Sequence, residues 1–158
     1  GALPVKTKQL IAVAVAHVDG LGVGHSAHVS ARGYIAAAPV RADGTRPVTV
    51  CWFDAAQLAA LDATEPNYRR VPLPGSMPCA ADGAPVTGAE VYESVHGVLG
   101  EAGAPLELLD QAGVLCWLAE RLPALGEVLD HERLLDAGLR ERVRRALVEA
   151  GLTLPSAL

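Results

Sequence analysis

Val48-Thr49-Val50-Cys51-Trp52-Phe53-Asp54-Ala55-Ala56-Gln57-Leu58-Ala59-Ala60-Leu61-Asp62-Ala63-Thr64-Glu65-Pro66-Asn67-Tyr68-Arg69-Arg70-Val71 passes from a strand pattern to a helix pattern and back. Val48, Val50 and Trp52 alternate with Thr49, Cys51 and Phe53, which predicts a strand over 47–53. Asp54 then predicts a helix start, and Gln57 three residues on completes a capping box. Leu58, Leu61 and Glu65 follow an i, i+3, i+7 spacing, so they share one helix face, with an acid where an apolar residue belongs. Pro66 forbids continuation and pushes Glu65 out of regular helical geometry at the core side of the helix end. Partial desolvation of a carboxyl group raises its pKa and suits it to moving protons near neutral pH, which makes Glu65 the candidate catalytic residue. The competing reading is an acid that curls to solvent or accepts a hydrogen bond from Asn67 or Arg69.

Upstream, residues 10–18 are apolar on both faces, and 25–40 form a longer extended stretch interrupted at Arg32-Gly33. Two-sided apolar strands belong in a barrel or beneath helices. Asp43-Gly44, in the polar stretch 41–46, reads as a hairpin turn. Downstream, 69–73 returns to strand and the prolines and glycines from Pro72 to Pro85 mark an irregular loop. In 89–98, Ala89, Val91, Glu93 and Val95 alternate with the mostly polar row Glu90, Tyr92, Ser94 and His96, which fits a solvent face or the lining of a wet cavity. Helices are expected over 105–121 and 133–149. The reading is an α+β chain with a single domain over 1–158: 1–100 mostly β with one short helix, 101–158 helical.

At 158 residues, 51% hydrophobic and 20% charged, with a mean hydropathy of +0.27, the chain is expected to fold compactly around a sizeable core. Thirteen Lys and Arg against 18 Asp and Glu leave a net charge of −5, which repels phosphate backbones and anionic membrane surfaces, so neither nucleic acid nor a membrane is the expected partner. The apolar run 10–16 is too short to span a bilayer and no basic-then-apolar leader opens the chain, so a soluble, cytoplasmic protein is expected. Cys51, Cys79 and Cys116 form no CxxC pair and signal neither a disulfide framework nor a zinc site; Cys51 and Cys116 are expected in the core.

No phosphate-binding glycine signature, GxSxG elbow or HExxH is present. His25 and His28 fall on opposite faces of a strand, a poor geometry for joint metal ligation, and His17, His96 and His131 default to structural or surface roles, so no metal is expected. Arg140, Arg142, Arg144 and Arg145 interleave with Glu141 and Glu149 and read as a solvated helix face. What remains is a carboxylate-and-phenol constellation of Asp62, Glu65, Tyr68 and Tyr92, in which mutual repulsion of the two acids would favour protonation of one.

The strand 48–53, the helix from Asp54, and Leu61-Asp62-Ala63-Thr64-Glu65 followed by Tyr68-Arg69-Arg70-Val71 resemble the L-D-x-x-E…Y-x-x-V signature of the gamma-glutamylcyclotransferase-like proteins. Ala89-Glu90-Val91-Tyr92 is similar to a later strand of that family, and Gly103-Ala104-Pro105-Leu106 to the G-x-P-x that leads into its C-terminal helix. The resemblance runs from about Ala16 to about Leu122. It implies a small mixed β-barrel, a short helix carrying the catalytic Glu65, and C-terminal flanking helices. It further implies a cofactor-independent transferase or lyase that cyclises a gamma-glutamyl amine or related small amide to 5-oxoproline with release of an amine. Glu65 would be the general acid/base, with Tyr68 and Tyr92 binding the substrate. The family's N-terminal Tyr-Gly-Ser turn, whose amides hold the substrate carboxylate, has no counterpart here, and Gly1 as first residue suggests that it lies upstream. The alternative is a non-catalytic interaction or accessory domain of the same fold.

Overall fold

The computed structural model describes residues 13–73, 77, 78, 83, 85–156 and 158. Residues 10–12 of the first expected strand, much of the expected 72–85 loop, and Cys79 lie outside the described residues. Strands β1 (Val13–Val29) and β2 (Ile35–Cys51) form a long antiparallel hairpin, paired from Val13 opposite Cys51 to Val29 opposite Ile35. The chain reverses at Arg32-Gly33, where Ser30 N–H donates to Tyr34 O and Gly33 N–H to Ser30 O, both at 2.9 Å. Gly33 takes φ 76°, and a Cβ there would stand 2.6 Å from the His131 carbonyl oxygen, so the turn requires glycine.

The expected hairpin at Asp43-Gly44 is therefore corrected: these residues lie inside β2. Pairing jumps from Asp19 opposite Thr45 to Leu21 opposite Arg41, leaving Ala42, Asp43 and Gly44 against Gly20 in an irregular bulge. Gly20 and Gly44 both have positive φ. The Asp-Gly pair supplies the left-handed backbone that a two-residue turn needs, and a bulge needs the same thing.

β7 (Val98–Glu101) adds to β1 through Ser26 opposite Val98, and is flanked by β8 (Ala104–Pro105) and β9 (Thr153–Leu154). The sheet order is β2-β1-β7-β8, with β9 also on β7. β3 (Tyr68–Pro72) and β6 (Glu90–Ser94) make a separate antiparallel pair, as do β4 (Met77–Pro78) and β5 (Pro85–Val86). The expected β-barrel is not what forms: among the described residues no ladder joins β2 to β8, so the sheet stays open. Closure needs an unbroken run of interstrand hydrogen bonds, and here β8 and β9 are two residues long while β3–β6 pairs only with itself. The architecture is mixed α+β, with an antiparallel sheet and three α-helices among the described residues.

Helices α1 (Ala55–Thr64), α2 (Gln111–Arg121) and α3 (Ala137–Glu149) each start at a capping aspartate. α2 begins later than its apolar stripe suggested, because Asp110 accepts from Gly113 N–H at 2.7 Å. Residues 106–110 are instead non-helical, tied by Leu106 N–H to Leu99 O and by Leu109 N–H to His25 Nε2. Val114 and Leu118 of α2 and Leu139, Val143 and Leu147 of α3 pack with Ala27, Ile35 and Leu99 in one buried cluster. The core thus lies where α2 and α3 cover the turn end of the hairpin, whereas α1 buries no residue completely. Cys51 and Cys116, expected inside, are both exposed: Cys51 ends an edge strand, and Cys116 lies off the face that carries Val114 and Leu118. No helix among the described residues is long and apolar enough to cross a membrane.

Candidate functional site

Both halves of the capping box are present on α1: Gln57 N–H donates to Asp54 Oδ1 and Asp54 N–H to Gln57 Oε1, each at 2.8 Å. The helix stops before Pro66, and Glu65 becomes its C-cap at φ −118°, ψ 57°, with its N–H donating to Asp62 O at 3.1 Å. Tyr68 N–H then donates to Glu65 O at 3.0 Å and starts β3. This corner presents a half-buried Glu65 to a cleft of about 650 Å³ whose other wall is the β1–β2 turn. Tyr68 and Tyr92 line the same cleft, so the three residues singled out from the sequence converge on one space. Asn67 and Arg69, the neighbours able to cover Glu65, are engaged elsewhere. Asn67 Oδ1 meets His96 Nε2 at 3.0 Å, and Arg69 Nε donates to Glu93 at 2.9 Å. Among the described residues the Glu65 carboxylate has no hydrogen bond or ion pair.

Both tyrosine hydroxyls are already donating. Tyr68 Oη gives its proton to Ala37 O at 2.8 Å and so ties the α1–β3 corner to β2. Burial pushes the Tyr68 phenol above its ordinary value, and the charge of Glu65 adds to that. Tyr92 Oη donates to Asp62 Oδ1 at 2.7 Å, and its pKa is pushed up to about 12 by desolvation and by the hydrogen bond to Asp62. Both phenols are neutral at physiological pH. They offer a ligand ring faces and oxygen lone pairs more readily than a free proton.

Asp62 is held by partners from neighbouring strands. Arg70 grips its carboxylate two-pronged, Nε to Oδ1 at 2.8 Å and Nη2 to Oδ2 at 3.0 Å. Those bonds, then the one from Tyr92, hold the Asp62 carboxyl below the usual range. Arg70 also pairs with Glu90. The network joins α1, β3 and β6, and for a helix that buries no whole side chain it supplies the attachment next to Glu65.

Sequence reading missed Arg32. It was part of an apparent break between strands, yet the turn brings it into the cleft wall with Tyr34, and among the described residues its guanidinium has no hydrogen bond or ion pair. Sequence reading also missed the stacking of His28 on His96, with centroids 4.0 Å apart and planes at 14°. Tyr92 further borders a more apolar hollow of about 560 Å³ with Trp52, Phe53, Leu58 and Leu61. Among the described residues no three His, Cys, Asp or Glu side chains are grouped to hold a metal ion. An uncompensated carboxylate beside two aromatic rings in a cleft of ligand size is equipped to take and return one proton on a small bound molecule. Comparison with protein-family models, with curated proteins and with solved structures finds no match to this chain.

Proposed function

We propose that the chain is a gamma-glutamylcyclotransferase-like enzyme that cyclises a gamma-glutamyl amine, or a related small amide, to 5-oxoproline. The observation that carries this reading is Glu65, half-buried and without a bonded partner among the described residues, in the wall of a cleft it shares with Tyr68 and Tyr92. In the reaction, the Glu65 carboxylate takes a proton from the substrate α-ammonium, and the freed amine attacks the γ-carbonyl carbon. The new C–N bond closes the five-membered ring. The old C–N bond then breaks as Glu65 returns its proton to the departing nitrogen, and the second proton of the ring nitrogen leaves with it, so the amine departs as an ammonium ion. Nucleophile and electrophile belong to one molecule, and holding that molecule folded supplies much of the acceleration. The neutral rings of Tyr68 and Tyr92 shape the cleft around it.

The committed hydroxyls of Tyr68 and Tyr92 favour a second reading, a non-catalytic accessory domain of the same kind. The two separate by assay. The enzyme reading expects release of 5-oxoproline from a panel of gamma-glutamyl dipeptides, lowered by about 10²-fold or more in Glu65→Gln. A chain inert across the panel, or a Glu65→Gln variant at full rate, would leave the accessory reading.

A further inference from the structure

The cleft is lined by two residues of opposite charge, Glu65 and Arg32, and neither has a hydrogen bond or ion pair from its charged group among the described residues. Arg69 pairs with Glu93, and Arg70 with Asp62 and Glu90. Arg32, on the opposite wall, has no such partner among the described residues, and neither has Glu65. The backbone that carries the exposed Arg32 side chain is held in place. Arg32 N–H donates to Ser30 Oγ at 3.3 Å, the turn is closed by the two Ser30 backbone bonds, and Gly33 leaves no room for another backbone path. A guanidinium offers a planar two-pronged donor set that matches a carboxylate. The nearby negative charge of Glu65 disfavours a phosphate dianion in the same space and suits a ligand that is itself dipolar.

We propose that Arg32 is the anion anchor of the cleft, holding the α-carboxylate of an amino-acid head group whose α-nitrogen lies at Glu65. This rests on the reading of the cleft as the Glu65 substrate site. It goes further in assigning substrate selection to a side chain of the β1–β2 turn. The cleft would then discriminate against gamma-glutamyl compounds whose α-carboxylate is amidated.

The test is calorimetric binding of γ-glutamyl-alanine and its α-carboxamide, in a Glu65→Gln background so that no turnover intervenes. Arg32→Ala should weaken γ-glutamyl-alanine about tenfold, as for loss of one charge-assisted pair, and Arg32→Lys less. The α-carboxamide should bind more weakly to the chain with Arg32 intact, and Arg32→Ala should leave its binding unchanged. The carboxamide comparison needs no variant at Arg32, so it stands even if the turn tolerates substitution poorly. Equal binding of γ-glutamyl-alanine with and without Arg32, or no saturation at millimolar concentration, overturns the proposal. If binding depends on Arg32 but the unaltered chain releases no 5-oxoproline, the anchor stands and the cyclisation reading falls. If 5-oxoproline is released by Arg32→Ala at an unchanged KM, the reverse holds.

Discussion

Glu65 owes its place to near neighbours: Pro66 ends the helix, Asp62 O receives its N–H, and its own carbonyl receives Tyr68 N–H. Interactions of such short reach are what a sequence displays most openly, which is why Glu65 was legible before any coordinates. Asp62 was half legible. Its place next to Glu65 was clear, but its partners Arg70 and Tyr92 come from other strands and lower its pKa. Replacing Arg70 with Met removes the first cause of that lowering, so the Asp62 carboxyl should titrate higher, measurable by carboxyl ¹³C shifts. Asp62, lowered from 3.8, contributes stability that is present above that value and lost as pH falls through the folded pKa. In Arg70→Met this acid-side loss should shrink. At the turn, Gly33→Ala combines a positive φ with a Cβ placed 2.6 Å from a backbone oxygen. It should cost about 1–3 kcal/mol in urea unfolding. A change within experimental error would show that the turn relaxes without strain.

The helices differ in what holds them. α1 has a complete capping box and a polar clamp but buries no whole side chain, while α2 inserts Val114 and Leu118 into the main core cluster. Asp54→Ala should therefore cost about 1 kcal/mol, the usual worth of an N-cap. Its effect should be local, seen as faster amide exchange over 55–64. Leu118→Ala, at a position with 0% exposure, should cost about 2–5 kcal/mol and shift the global unfolding midpoint. Equal global shifts for the two would show α1 to be as much part of the core as α2. Strand boundaries were less legible than the cap of α1. Asp43-Gly44 carries turn chemistry, but whether positive φ makes a turn or a bulge depends on the strand lying opposite.

Across the molecule, acid should act through histidine before it acts through most carboxylates. Burial lowers the pKa of His25, His28 and His96 from 6.5, and in the stacked pair each imidazole also meets cationic neighbours: His28 faces His96 and Arg140, and His96 faces Arg144. A histidine whose folded pKa is depressed binds its proton first in the unfolded chain. Its stabilising effect is therefore intact above about pH 6.5 and declines as pH falls below that value, until the folded pKa is reached. Urea midpoints should drop between pH 7.5 and pH 5.5, and His28→Phe should flatten that slope; a flat profile in the parent chain would contradict this account. The Asp54 cap, the C-terminal ends of the helices and the acid at the end of α1 were readable from the residues alone, because backbone preferences and capping bonds act between neighbours along the chain; the starts of α2 and α3, at Asp110 and Asp136, were not. The open sheet, the His25 bond to Leu109, the Asp62 clamp and the meeting of Arg32 with Glu65 in one cleft came only with the folded chain. These features join residues far apart in sequence, and their pairing is set by which surfaces pack together and which ladders stop short, a competition that no local pattern records.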